Sequence, residues 1–204
     1  MIVDPADAKP TQLYHCLIGA IAPRPIAWVS TLSPRGIPNL APFSYFTGVG
    51  VLPPTLCFSP INRRDGSKKD TILNLRATPE FVVNVVPFAL GEAMNLSSGD
   101  FAYEESEFDK ACVTPAASRK VKPPCVAESP IHIECALHDI IELGTGPLAG
   151  NLVVGKILLI HVADEVLDDR GEIDPKKLDL IGRMGGNWYS RTREMFEMER
   201  PEKP

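Results

Sequence analysis

Between Pro60 and Thr71 the chain reads Pro-Ile-Asn-Arg-Arg-Asp-Gly-Ser-Lys-Lys-Asp-Thr, residue types suited to a phosphate monoester. Arg63, Arg64, Lys68, Lys69 and the Ser67 hydroxyl stand directly before Asp70-Thr71, a natural N-cap for a short helix that ends at Pro79. A helix N-terminus presents unpaired N–H groups and the positive end of the backbone dipole. Cap, glycine and cations coincide here. The same residues also describe a solvated basic loop before a capped helix, and the local sequence leaves both readings open.

A second stretch, Pro23 to Ser44, has the makings of a ligand-lined hairpin. Ile26 to Leu32 is β-branched and aromatic, a buried strand that includes two adjacent hydroxyls, Ser30 and Thr31. Ser33-Pro34-Arg35-Gly36 is a turn, and Pro38-Asn39-Leu40-Ala41-Pro42-Phe43-Ser44 resumes as extended chain. The prolines exclude helix and thin out the backbone donors. The donors that remain, with the Asn39 and Ser44 side chains, suit a polar ligand lying along the segment. A plain hairpin with an irregular second strand accounts for the same residues.

The elements that position these stretches are mostly strands. Thr55 to Ser59, Glu80 to Val86, Ile131 to Leu143 and Leu152 to Ala163 read as β, with a short helix near Ala89 to Asn95. Asp174-Pro175 starts a helix, and Ser190 to Arg200 reads as a final charged one. Six or seven strands with few helices give a mainly β fold with minor α, a small antiparallel barrel with appendages. No composition break divides residues 1–204, so a single domain with a helical tail from about 174 is expected.

Other chemistry is thinly represented. The acidic run with Glu104, Glu105, Glu107 and Asp109 reads as exposed loop and helix rather than a catalytic carboxylate pair. Five cysteines at wide, irregular spacing argue against a disulfide framework and a structural zinc site. Cys135 and His138 stand three apart in a strand and so point to opposite faces; no metal site is expected. His161 reads as a satisfied core or interface residue, and the polar alternation of His132, Glu134 and His138 as a face toward solvent or a second subunit. The net charge of −5 and the lack of a basic run exclude a nucleic-acid footprint, and no apolar run is long enough for a membrane helix. Met1 to Pro5 lacks a secretion signature, so a cytoplasmic protein is expected.

In order and spacing, several motifs together resemble the flavin reductase-like family of FMN-binding split-barrel proteins. They are Pro23-Arg24-Pro25-Ile26-Ala27-Trp28-Val29-Ser30-Thr31, Asn39 to Phe46, Pro53-Pro54, Lys69-Asp70-Thr71 with Asn74, Phe81-Val82-Val83-Asn84, and Gly155-Lys156-Ile157 leading to His161. The resemblance implies a six-stranded antiparallel Greek-key split barrel with peripheral short helices. It implies a homodimer with FMN at the interface, NAD(P)H or another donor as reductant, and a small-molecule acceptor. Ser30, Thr31 and the segment Asn39, Leu40, Ala41, Pro42, Phe43 and Ser44 would line the flavin ring and ribityl chain. Ser67, Lys69, Asp70 and Thr71 would hold its phosphate, Asp70 through backbone and capping because its carboxylate would repel phosphate. Trp188 and Tyr189 would cover a flavin edge. No catalytic side chain is implied, since the flavin carries the redox chemistry. One departure stands out: where reductases of the family often carry an Asp-His pair, this chain has Leu148-Ala149-Gly150-Asn151-Leu152. That weighs against a simple NAD(P)H:flavin reductase and keeps open a non-catalytic flavin carrier or partner subunit, or a barrel that binds another small molecule.

Overall fold

The computed structural model describes residues 1–201. Its strands are β1 (Ala27–Leu32), β2 (Pro38–Phe43), β3 (Phe46–Val51), β4 (Pro54–Phe58), β5 (Glu80–Asn84), β6 (Pro115–Ala116), β7 (Cys125–Val126), β8 (Ile131–Glu142), β9 (Asn151–Val162), β10 (Ile181–Arg183) and β11 (Tyr189–Arg191). The helices are short: α1 (Pro10–Ala20), α2 (Asp70–Ala77), α3 (Gly91–Leu96), α4 (Glu107–Lys110) and α5 (Pro175–Leu178). The fold is mainly β with minor α, as the strand-rich sequence implies.

Seven strands form one antiparallel sheet in the order β2-β1-β5-β8-β9-β4-β3. The six-stranded Greek-key barrel expected from the resemblance is not what the sheet shows: it has seven strands and two open edges, β2 and β3. Only Ser44 and Tyr45 separate those edges in the chain. The extended run breaks there because both residues are held elsewhere. Ser44 Oγ accepts from Arg24 Nε at 3.3 Å, and the Tyr45 carbonyl accepts the Ser59 amide at 2.8 Å.

β1 lies second in the sheet and is buried on both faces. Ala27 and Val29 pack with Phe58, Phe81 and the α2 residues Ile72 and Leu75, whereas Trp28 packs with Leu40, Met94, Phe108 and Val126. Gly155 of β9 is required by this packing, since a Cβ there would sit 2.3 Å from Phe81 Cζ. The segment carrying β6 and β7 covers the Trp28 face. Ser30 Oγ donates to the Pro124 carbonyl at 2.5 Å, and Val126 N–H donates to Asn84 Oδ1 at 2.8 Å.

Two sequence expectations need correction. The face carrying His132 and Glu134 is not turned to solvent: Glu134 is buried, because the covering loop delivers the amides of Arg119, Lys120 and Val121 to its carboxylate. The tail is not helical beyond α5. After Asp179, in the left-handed region at φ 48°, the chain forms β10, which pairs with β11, and the guanidinium groups of Arg191 and Arg193 close on the Asp179 carboxylate. No helix spans 190–201, and the last three residues of the expected tail lie outside the described ones. Among the described residues no helix is long and apolar enough to cross a membrane.

Candidate functional site

α2 starts one residue earlier than the sequence suggests. Lys69 is its N-cap, so Asp70 and Thr71 occupy the first turn, and no side chain caps the helix. The Ile72 and Leu73 amides close onto the Lys69 carbonyl, which leaves the Asp70 and Thr71 N–H groups without an acceptor among the described residues. Arg63 reaches this end through an ion pair with Asp70 at 2.9 Å, and Lys69 Nζ lies 3.2 Å from Asp100 Oδ1. The other two cations are placed differently. Lys68 is committed to Asn151 Oδ1 at 2.6 Å and Glu142 at 3.1 Å, and Arg64 is exposed.

A cavity of about 80 Å³ lies between this helix end, β2 and the segment from Ser97 to Phe101. Of the residues expected to bind a flavin, Asn39, Ala41, Pro42, Phe43, Lys69, Asp70 and Thr71 line it together. Thr31 stands one hydrogen bond behind, donating to Asn39 Oδ1 at 3.2 Å. The others are elsewhere. Ser30 points to the opposite face of β1, Leu40 buries its side chain against Trp28, Ser44 is held by Arg24, and Ser67 donates its amide and hydroxyl to Asp65 Oδ1 in a surface turn. Strand geometry explains the split of Ser30 from Thr31, because successive side chains face opposite ways. Trp188 is exposed and does not line the cavity.

The backbone of β2 also differs from expectation. Leu40 N–H points off the free edge to Glu107 Oε2 at 2.9 Å, so the backbone groups of Pro38 and Pro42, two residues either side, share that outer edge. Neither proline has an N–H, and Leu40's is taken. The edge therefore offers carbonyl acceptors and no donors, which also blunts it against pairing with another strand.

Glu107 is the residue that sequence reasoning missed. The expectation that the acidic run is all surface fails at this one position, where the α4 residue is 6% exposed and lines the cavity. It accepts from Asn39 Nδ2 at 2.7 Å and from Leu40 N–H at 2.9 Å, with no ion pair among the described residues. Burial pushes its carboxyl above the usual range, the two hydrogen bonds oppose this, and nearby Asp70 adds to the rise. The chain of hydrogen bonds continues from Asn39 through Thr31 to Asn74 Nδ2 at 3.0 Å and on to the Tyr103 hydroxyl, which donates to Asn74 Oδ1 at 2.7 Å. Thr71 Oγ1 also donates to Asn39 Oδ1, at 3.1 Å.

His161 is remote from this cavity. Its Nε2 lies 2.7 Å from Glu134 Oε1 on the opposite, covered face, with the His132 ring 6.0 Å away. Burial acts to raise the Glu134 carboxyl, but the Arg119 and Lys120 amides and His161 together hold it below its usual range. Cys135 faces the core, where burial pushes its thiol up to about 12, while His138 is exposed.

The donor set at the α2 end suits a phosphate monoester: two free amides, a lysine and an arginine, on a helix N-terminus. The cavity is open to solvent, so a phosphoryl group seated in it would leave the rest of its ligand room to extend outward.

Comparison with known proteins bears on the family and the fold. A family model described as a flavin reductase like domain matches residues 19–177. Nitrilotriacetate monooxygenase component B from Bacillus cereus is 33% identical, with a TM-score of 0.91 over 97% of this chain and 98% of that one. The 2-nitrobenzoate 2-nitroreductase of Pseudomonas fluorescens is 28% identical, with a TM-score of 0.88 over 98% and 96% of the two chains. A Shewanella frigidimarina NCIMB 400 protein with a split barrel domain shares the fold at 20% identity, with a TM-score of 0.83 over 98% and 100%.

Proposed function

The chain belongs to the flavin reductase-like family, and we propose that it is an FMN-binding oxidoreductase passing electrons from NAD(P)H or another donor to a small acceptor. The observation that carries this reading is the pair of free amides on Asp70 and Thr71, flanked by Lys69 and Arg63 and opening beside the free edge of β2. Bound FMN would supply hydride and single-electron exchange. The residues of this chain bind and orient. Lys69, Arg63 and the two amides would take the phosphate. Asn39, held by Glu107, Thr31 and Thr71, would stiffen the strand that faces the ribityl chain. The outer carbonyls of β2 would accept hydrogen bonds from the ligand, and Phe43, which lines the cavity, would shield one side of it from water.

A homodimer, with FMN proposed at its interface, fits the exposed apolar side chains of Val51 at the end of β3, Leu52 in the turn that follows, and Leu158 and Ile160 on β9. The register of β4 on β9 carries Leu158 toward that turn.

A second reading, a flavin carrier or partner subunit without its own nicotinamide site, has one observation in its favour. Leu148 to Leu152 holds no histidine, and its one polar side chain, Asn151, is buried and occupied by Asn62 and Lys68. The Bacillus cereus relative is named as a component of a monooxygenase, which is compatible with either reading.

The test is an absorbance spectrum of purified protein loaded with FMN, then anaerobic addition of NADH and of NADPH. Bleaching of the flavin band faster than free FMN supports the oxidoreductase. A band that persists with both nucleotides moves the assignment to the carrier.

A further inference from the structure

We propose that Glu107 is a ligand-binding residue that takes up a proton as the phosphate arrives, so that the monoester meets a carboxylic acid and not a carboxylate. This rests on the flavin reading above and adds to it one binding group and a pH dependence at the ligand's phosphate end.

The charges around the cavity do not suit an anion as they stand. Two cations, Arg63 and Lys69, and three carboxylates, Asp70, Asp100 and Glu107, line it, a net charge of −1 with all five ionised. A phosphate monoester brings about −1.5 to −2 more. Arg63 already meets Asp70 at 2.9 Å, and Lys69 meets Asp100 at 3.2 Å. Glu107 is the carboxylate left over, buried and in no ion pair among the described residues.

The other charges near Glu107 are turned outward. Glu104 and Glu105 pair with Arg35 and Lys110 at 2.6 and 2.7 Å, and Asp109 is exposed. β2, which α4 packs on, carries no charged side chain. Burial raises the Glu107 carboxyl above its ordinary value, and the Asp70 charge raises it further. A phosphate seated on the Asp70 and Thr71 amides puts a larger negative charge in the same place, and so drives the carboxyl further toward its neutral form.

The hydrogen bonding leaves that proton one use. Oε1 accepts from Asn39 Nδ2 and Oε2 from Leu40 N–H, and each oxygen keeps a further lone pair for a proton. Neither neighbour can accept it. Leu40 presents a donor, and Asn39 Oδ1 is taken by the hydroxyls of Thr31 and Thr71. The O–H of the acid is therefore left for a phosphate oxygen, as a charge-assisted hydrogen bond. The proton comes from solvent, and no bond to phosphorus is made or broken.

The experiment is calorimetric titration of the full chain with FMN and with riboflavin, in two buffers of different ionisation enthalpy, which counts the protons taken up. At about pH 8 the free ester is already a dianion, since its second ionisation lies near ~6, so the ligand itself takes up none. FMN binding to the parent should take up more than about half a proton, and riboflavin binding none. As pH rises, FMN affinity should fall by up to about tenfold per unit, the limit for one proton, while riboflavin affinity stays level. Glu107→Gln should lose both the uptake and the slope. FMN bound without uptake by the parent, a result that needs no variant, overturns the proposal and leaves the flavin reading in place. Uptake that Glu107→Gln retains also overturns it. Failure of both flavins to bind overturns the flavin reading as well.

Discussion

Asn39 and Glu107, 68 positions apart in sequence, meet through a 2.7 Å hydrogen bond from Nδ2 to Oε1. Because Nδ2 is given to the carboxylate, Asn39 Oδ1 faces the hydroxyls of Thr31 and Thr71, and both donate to it. The contact ties α4 to the edge strand β2 and α2 to both. It places one buried, cation-free carboxylate at the back of the cavity that is proposed to take a phosphate.

That carboxylate makes stability depend on pH in a definite sense. Glu107 has a folded-state value raised above its ordinary 4.5, so the folded chain binds more protons than the unfolded one in the window just above 4.5. Its contribution is fully present below that window and is lost as pH rises through the raised value. Urea unfolding at a series of pH values should show this fall for the parent and a flatter profile for Glu107→Gln. Equal slopes would show that Glu107 titrates normally.

Glu134 runs in the opposite sense. Its folded value is depressed below 4.5, so the stabilisation it gives is present above that value and is lost as pH falls through the depressed one. Glu134→Ala should cost about 2–4 kcal/mol, because a buried charged acceptor is lost and the Arg119, Lys120 and Val121 amides are stranded. Protection of those three amides against hydrogen exchange, relative to the intrinsic rate at each pH, should fall in the variant, and in the parent as pH drops through the depressed value. Unchanged protection would remove Glu134 as the anchor of the covering loop.

Gly155→Ala should destabilise the fold by about 1–3 kcal/mol, the usual cost of overpacking, since the new methyl group collides with the buried Phe81 ring. Thermal or urea unfolding checks this. A loss below about 0.5 kcal/mol, the range of an ordinary surface change, would mean that Phe81 has space to move.

β1, β4, β5, β8 and β9 were legible because each is rich in β-branched or aromatic residues and bounded by turn residues, whereas Phe46–Val51 was not among the strands read from the sequence. The N-terminus of α2 was legible because Lys69, Asp70 and Thr71 open a short helical segment closed by Pro79. Period-two alternation already implied that Ser30 and Thr31 face opposite ways, so only one of them was available to the site. Glu107 was not legible. It sits among Glu104, Glu105 and Asp109, and what buries it is the packing of α4 on β2, a contact with no local signature. The tail misled for a similar reason: 189–191 has a strand partner in 181–183, and Asp179 gathers the two arginines that follow, so tertiary pairing overrides a helix-like composition.

The most direct measurement is the affinity of the protein for FMN and for riboflavin, before and after Lys69→Ala. If the α2 N-terminus holds the phosphate, the parent binds FMN far more tightly than riboflavin. The substitution should then weaken FMN by about 1.5–3 kcal/mol, the scale of a charge-assisted hydrogen bond, and leave riboflavin unaffected. Equal affinity for the two flavins, with no response to the substitution, would contradict a phosphate site at Lys69, Asp70 and Thr71.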